Sequence, residues 1–438
     1  MLYRKIETQI RAYLQSQSNK VLLIDGARQV GKSFIIRHVG QEMFRHYIEV
    51  NLLEDANGER FFASATTPKD FYFRLSSVAG DRLGTKEDTL VFLDEIQAYP
   101  HLLTMLKFLK SDDRFTYIAS GSLLGVALAQ TVSIPIGSIM TRHMYPLDFE
   151  EFLLANGVGA DVIDYMREQY CAEQPLDEGL HNKVYDLFRK YLIVGGMPDA
   201  VNSFLEVTDV TVLREIQADI HEYYGADASQ YDAAHRLKIR SIYNMIPSNL
   251  ENKRKRVFFN RIESKPGKRF GDYAEEFDYL VQAGIALKVQ AVSRPKFPLL
   301  ESSQKNLLKL YLNDVGILTG QLYGRNMVAI LDDVRSINLG SVYESAVAQE
   351  LKAHGHRLFY YDNKKHGEVD FLIERDDLLS VMPIEVKSGK DYKVHSALSA
   401  FVQTEEYGVK KALVLSNERD VFTEQGITYM PVYDVMFL

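Results

Sequence analysis

The chain has 438 residues, 46% of them hydrophobic, 11% aromatic and 25% charged. That composition excludes wholesale disorder, and the length exceeds the usual domain size of about 100 to 200 residues, so roughly three domains are expected. Lys and Arg number 51 against 59 Asp and Glu, a formal net charge of −8, which leaves any nucleic-acid contact to a local basic patch and not to the field of the whole molecule. The one cysteine, Cys171, cannot form an intrachain disulfide, and the N-terminal MLYRKIETQIRAYL has no continuous apolar core of the kind a secretory signal needs. A reducing, cytoplasmic setting is expected.

Val21 to Asp25 is a short apolar run, followed by a glycine-containing loop and then FIIRHVGQEMF, whose apolar positions recur at helical spacing. This reads as strand, loop, helix. Tyr47 to Asn51, Thr89 to Leu93 and Phe115 to Ala119 read as further strands, with helix-like stretches such as HLLTMLKFLK between them. The alternation implies a parallel sheet covered on both faces. From Ile118 to Thr141 no side chain is charged; its glycines, proline and polar residues would be costly against lipid, so core strand and helix are expected and no membrane span. PLDFEEFLLANG and NKVYDLFRKYLIVGG are amphipathic helical segments, which gives a helical subdomain. Between Leu237 and Leu318, helical segments precede the strand-like AGIALKVQAV and KNLLKLYLND, suggesting a winged helix. After Asn338 a helix, GSVYESAVAQELKAHG, precedes the strand-like RLFYYD, EVDFLIE and MPIEVKS, a helix around Ser396 to Thr404 and the strand KKALVLS. These form a second, smaller α/β domain. The expected division is 1–145, 146–230, 231–325 and 326–438.

Gly26-Ala27-Arg28-Gln29-Val30-Gly31-Lys32-Ser33 satisfies G-x-x-x-x-G-K-[ST] between a buried strand and the first turn of a helix, where Phe34 follows. The glycines let backbone N–H groups face inward onto phosphate, Lys32 reaches the β and γ phosphates of ATP, and Ser33 offers a hydroxyl to Mg²⁺. Leu90-Val91-Phe92-Leu93-Asp94-Glu95 ends a buried strand in two carboxylates. Asp94 is expected in the magnesium shell, and Glu95 as the group that orients or deprotonates the attacking water. In Tyr117-Ile118-Ala119-Ser120-Gly121-Ser122, Ser120 or Ser122 is placed to sense the γ-phosphate, unless the segment is simply a turn.

With GARQVGKS, YIEVNLLED, VFLDEIQAYPHLLTMLKFL, IASGS, YPLDFEEFL, YLIVGGMPDAV, YLNDVGIL, GSVYESAVAQEL, GEVDFLIE and PIEVKSG, the chain resembles the bacterial and archaeal AAA+-type ATPases that carry an N-terminal ATPase domain and a C-terminal DUF4143 domain. The resemblance runs through nearly the entire chain. It implies an α/β protein: a P-loop parallel-sheet ATPase with a helical subdomain, a winged-helix-like middle domain and a small restriction-endonuclease-like α/β C-terminal domain. Family members usually carry a Gly-Arg pair shortly before the Pro-Leu-Ser-Phe-type segment. Here Gly137 is followed by Ser138, and Arg142 is the candidate for that arginine, acting across a subunit interface of a homo-oligomer.

Two further features bear on partners. NKRKRVFFNRIESKPGKRF, from Asn252 to Phe270, is a basic run interleaved with phenylalanine, readable as a DNA- or RNA-contacting surface, a solvated loop or a protein-docking face. Asp370 lies in the apolar strand EVDFLI, Glu385 and Lys387 in PIEVK, and Glu344 on the preceding helix. Residues 385 and 387 project to one face of a strand, so carboxylates and an ammonium converge. The order looks like a restriction-endonuclease core in which Glu344, Asp370 and Glu385 bind Mg²⁺ and Lys387 stabilises charge. The alternative is a buried ion-pair network on a scaffold that cleaves nothing. Two functions stay open: an ATPase acting on nucleic acid, and a nucleotide-controlled switch that binds protein partners.

Overall fold

The computed structural model describes all residues except 17, 123–135, 208, 228–232, 253–254, 332–338, 364 and 390. The chain divides into two compact units, Met1–Tyr145 with Gln282–Gly284, and Pro146–Val281 with Ile285–Leu438. Most of the uncharged stretch from Ile118 to Thr141 lies outside the described residues. Among those described, no helix is long and apolar enough to cross a membrane.

The first unit is built on five strands, β1 (Val21–Asp25), β2 (His46–Asn51), β3 (Thr89–Asp94), β4 (Thr116–Gly121) and β5 (Ile139–His143). All neighbours are parallel, in the order β2-β3-β4-β1-β5. Parallel strands covered on both faces need apolar side chains in both directions, which is why Leu90, Val91, Phe92 and Leu93 are all fully buried in sequence. Val21, Leu23, Val91, Leu93 and Ala119 pack with the helices Pro68–Ala79 and Pro100–Asp112. The helix Lys32–Met43 lies against β2, β3 and β4. In the register, Asp25 stands beside Gly121 and His143, and Asn51 beside Asp94, so polar residues collect at one end of the sheet. In open parallel sheets ligands bind outside the carboxyl ends of the strands.

The second unit opens with helices that include Phe149–Ala155, Glu178–Val194 and Val210–Asp227. Its strands are β6 (Ala286–Val292), β7 (Ser303–Leu312), β8 (Phe359–Asn363), β9 (Gly367–Arg375), β10 (Ser380–Val386), β11 (Ala412–Ser416), β12 (Phe422–Glu424) and β13 (Ile427–Pro431). They form one mixed sheet, ordered β12-β13-β11-β10-β9-β8-β6-β7. The hairpin of β6 and β7, expected in a winged-helix-like module, is therefore part of the C-terminal sheet: β6 pairs antiparallel with β7 on one side and parallel with β8 on the other. Sequence distance hides that pairing, because the described residues that separate β7 from β8 carry three helical segments.

Several of the sequence motifs prove to be packing devices. Asp148 and Glu151 form a capping box at the start of Phe149–Ala155. Glu350, fully buried on the helix Gly340–Ala353, accepts from Phe149 N at 2.8 Å and Tyr191 Oη at 3.0 Å. Asp314, also fully buried, caps Val315–Tyr323 through Ile317 N at 3.0 Å and accepts Gly196 N at 2.6 Å, so the GGMP turn and the NDVGIL segment are held by one carboxylate. Removing that acceptor leaves buried N–H groups without a partner. Asp314→Ala is expected to destabilise this unit by about 3 kcal/mol and Asp314→Asn by less. The chain contains no tryptophan but 26 tyrosines, so urea unfolding followed by tyrosine fluorescence reads the effect, and an unchanged midpoint for Asp314→Ala would refute it.

Candidate functional site

The loop between β1 and the helix Lys32–Met43 carries Gly26 to Ser33. Gly26 has φ 152°, and a Cβ there would strike the carbonyl oxygen of Met144, so a side chain is sterically barred. Gly31 precedes the helix at φ 95°, a left-handed value that glycine adopts without cost. Gln29, at φ 63°, is exposed, and Phe34 is exposed one turn along. Ala27 and Val30 are buried beneath the loop.

Lys32 is 5% exposed, and its ammonium donates to Gly26 O at 2.9 Å and Ala27 O at 2.7 Å. Burial pulls it below the ordinary lysine range, against the attraction of Glu95, Asp25 and Asp94. Ser33 Oγ donates to Asp94 Oδ2 at 2.7 Å, while Ser120 Oγ and Glu95 N donate to Asp94 Oδ1, the latter at 3.0 Å. Burial pushes Asp94 above the usual carboxylate range, opposed by Ser120 and Ser33. Glu95 follows at φ 53°, left-handed for a residue with a side chain, at a backbone cost of about 1 kcal/mol. Its carboxylate accepts from Ser122 Oγ at 3.1 Å and from Gln97 Nε2. Arg28 Nε in turn donates to Ser122 Oγ at 3.2 Å.

Ser120 and Ser122 thus meet the two carboxylates of the strand end. Ser33 and Asp94 present adjoining hydroxyl and carboxylate oxygens, a donor set that suits Mg²⁺. Arg142 is exposed on β5 and donates to its neighbour Thr141 O at 3.1 Å; no polar contact joins it to the phosphate loop among the described residues. Three residues that sequence reasoning passed over brace the loop. Arg4, 6% exposed, donates to Val30 O at 2.8 Å and Tyr145 O at 2.6 Å. Asp25 Oδ1 accepts Gly26 N at 2.8 Å, and its Oδ2 lies 3.1 Å from His143 Nδ1. No local pattern marks Arg4 or His143, since their partners lie far along the chain.

In the second unit, Lys255, Glu344, Asp370, Glu385, Lys387 and Ser388 line a pocket of about 490 Å³. Antiparallel pairing of β9 and β10 sets Asp370 beside the strand of Glu385, and Val386 N donates to Asp370 Oδ2 at 2.9 Å. Lys387 donates to Glu385 Oε1 at 2.8 Å. The four expected residues share one pocket, but no group of three His, Cys, Asp or Glu side chains among the described residues is placed to hold a metal ion. Glu344 is instead bonded to Lys255, and its Oε2 accepts Tyr311 Oη at 3.1 Å. Against burial, which pushes it up, Lys255 and Lys309 hold Glu344 below the usual range. Burial, Glu344 and Glu385 raise Asp370 well above it.

The basic run proves to be largely paired. Lys253 and Arg254 lie outside the described residues. Lys255 is bound to Glu344, and Arg256 to Asp362, with Glu368 at 3.8 Å. Lys265 lies 3.5 Å from Glu263 and Lys268 3.2 Å from Asp272. Lys309, fully buried on β7, pairs with Glu368 at 2.5 Å.

Residues 18–153 match the AAA domain family, 185–327 a domain of unknown function, DUF8612, and 339–435 the domain of unknown function DUF4143. No curated protein matches the chain. Similar solved structures include a Walker-type ATPase of Pyrococcus abyssi, at 14% identity and TM-score 0.43, covering 74% of this chain and 96% of that one. Others are the Aeropyrum pernix ORC1 protein in complex with DNA, at 13% identity and TM-score 0.32, covering 74% and 93%, and the RuvB Holliday junction branch migration motor of Thermotoga maritima, at 14% and 0.30, covering 65% and 89%.

The brace on the phosphate loop has a measurable consequence. Arg4→Ala removes a buried guanidinium that holds Val30 O, and a loosened loop presents its N–H groups less well. Nucleotide affinity, read by isothermal titration, is expected to weaken roughly tenfold or more; unchanged affinity in a folded variant would show that the brace plays no part in binding.

Proposed function

Because the chain joins an AAA domain to a C-terminal DUF4143 domain, we propose that it binds and hydrolyses ATP in its first unit and acts as a nucleotide-controlled switch on the module that follows. The observation that supports this most is the joining of Ser33, Asp94 and Ser120 in one hydrogen-bonded group beside Lys32, with Glu95 held next to it by Ser122. Backbone N–H groups of the loop receive phosphate, and the Lys32 ammonium exchanges its contacts with Gly26 O and Ala27 O for the terminal phosphates. Mg²⁺, held by Ser33 and Asp94, supplies neutralising charge when bound. Glu95 orients the attacking water, and release of its carboxylate from Ser122 and Gln97 frees it to accept the proton.

Lys32→Ala is expected to abolish ATP binding in isothermal titration. Glu95→Gln should bind ATP but lose turnover by about 10²-fold or more, because an amide still hydrogen-bonds water but accepts a proton poorly. Wild-type turnover in Glu95→Gln would remove Glu95 from this role.

Pairing of Lys255 and Arg256 with carboxylates favours a switch that addresses a protein partner, since those side chains are committed within the chain. Action on DNA or RNA is the second reading, supported by Arg261, Lys265 and Arg269, which remain exposed. Steady-state ATPase rates with and without DNA and RNA separate the two. The switch predicts rates that nucleic acid leaves unchanged, whereas salt-sensitive stimulation establishes the second reading.

A further inference from the structure

The carboxylate pocket of the second unit is lined by two ammonium groups of the chain itself, Lys387, which bonds Glu385, and Lys255. Glu344 is 3% exposed and Glu385 7% exposed; together with Asp370 they line one cavity, where carboxylates repel one another unless positive charge lies among them. Lys255 brings its ammonium there from a segment outside the sheet, and bonds Glu344. Its delivery is structurally specified. The Lys255 backbone is left-handed, at φ 48°. Glu251, four residues before it, accepts from Ser341 Oγ at 2.6 Å, and Arg256 next to it is bound to Asp362. Contacts thus hold Glu251 before Lys255 and Arg256 after it. One oxygen is left over: Oε2 of the buried Glu385, which lines the same pocket, has no hydrogen-bond partner among the described residues.

We propose that Lys255, bonded to Glu344 while Lys387 stays on Glu385, occupies the place that a divalent cation would require and closes the site to Mg²⁺ and Mn²⁺. With Lys255 in place, the oxygens of Glu344, Asp370 and Glu385 do not form a metal site; with it gone, the same oxygens, including the unpartnered Oε2 of Glu385, become ligands of the hard-cation type. The inference is independent of ATP hydrolysis and of the choice between partners.

The test counts Mn²⁺ by electron paramagnetic resonance on the nucleotide-free full chain carrying Asp94→Asn, which removes the carboxylate assigned to Mg²⁺ at the ATP site. This parent is expected to take up no Mn²⁺. Adding Lys255→Gln should create one saturable site, and adding Glu385→Gln to that variant should abolish it. Because loss of Lys255 removes an ion pair from the buried Glu344, melting is followed for both Lys255→Gln and Lys255→Met. Mn²⁺ should raise their melting temperatures, or restore folding if they are unfolded, and should leave the parent unmoved. Mn²⁺ uptake by the parent that Glu385→Gln removes would overturn the proposal. So would Lys255 variants that neither bind Mn²⁺ nor are stabilised by it.

Discussion

A charge taken out of water must be answered by another charge or by hydrogen bonds, or its ionised form is lost at a cost of several kcal/mol. Much of the polar architecture in both units follows from that constraint. Lys32, Asp94, Glu344, Lys309 and Asp314 are all buried, and they are answered in four different ways. Lys32 is met by loop carbonyls, Asp94 by serine hydroxyls and a backbone N–H, Glu344 and Lys309 by opposite charges, and Asp314 by backbone N–H groups at a helix start.

These answers differ in how readily a ligand can replace them. Carbonyl oxygens hold an ammonium more weakly than phosphate does, and serine hydroxyls can turn towards a cation without leaving a charge exposed to an apolar wall. The phosphate loop is therefore satisfied and still exchangeable, which is what a binding site needs. In the C-terminal pocket the answer to Glu344 is the ammonium of Lys255, so exchange means breaking a buried ion pair. That is costly, because it strands a charge at about 3 to 5 kcal/mol. One kind of group, a buried carboxylate at a strand end or on a helix, thus serves opposite ends in the two units.

The phosphate loop and the carboxylate strand were legible in sequence because both are contiguous. Gly26 to Ser33 and Leu90 to Glu95 each combine an apolar strand with the polar residues that follow it, and the structure has β1 over Val21–Asp25 and β3 over Thr89–Asp94. The helix Gly340–Ala353 and the strands β8 to β11 were equally visible from period and composition. Contacts between distant segments were not. Arg4 bonds Val30 past the whole of β1, β6 pairs with β8 past the helices that follow β7, and Lys255 leaves a run of basic residues to enter an acidic pocket. A basic run has the same composition whether its side chains face solvent or are bonded to Glu344 and Asp362; only the fold decides. β5 was missed because Ile139–His143 lacks the apolar alternation of a buried strand, and β12 because it has only 3 residues; β13, as long as β1 and β11, was missed as well.

Charge satisfied from within the chain in one unit, and left exchangeable in the other, can be seen in a single experiment. Crystals of the full chain grown with a non-hydrolysable ATP analogue and Mn²⁺, measured at the manganese absorption edge, should show anomalous density beside Ser33 and Asp94 and none among Glu344, Asp370 and Glu385, where the Lys255 ammonium should be resolved instead. Manganese density in that pocket with Lys255 turned away would contradict the assignment.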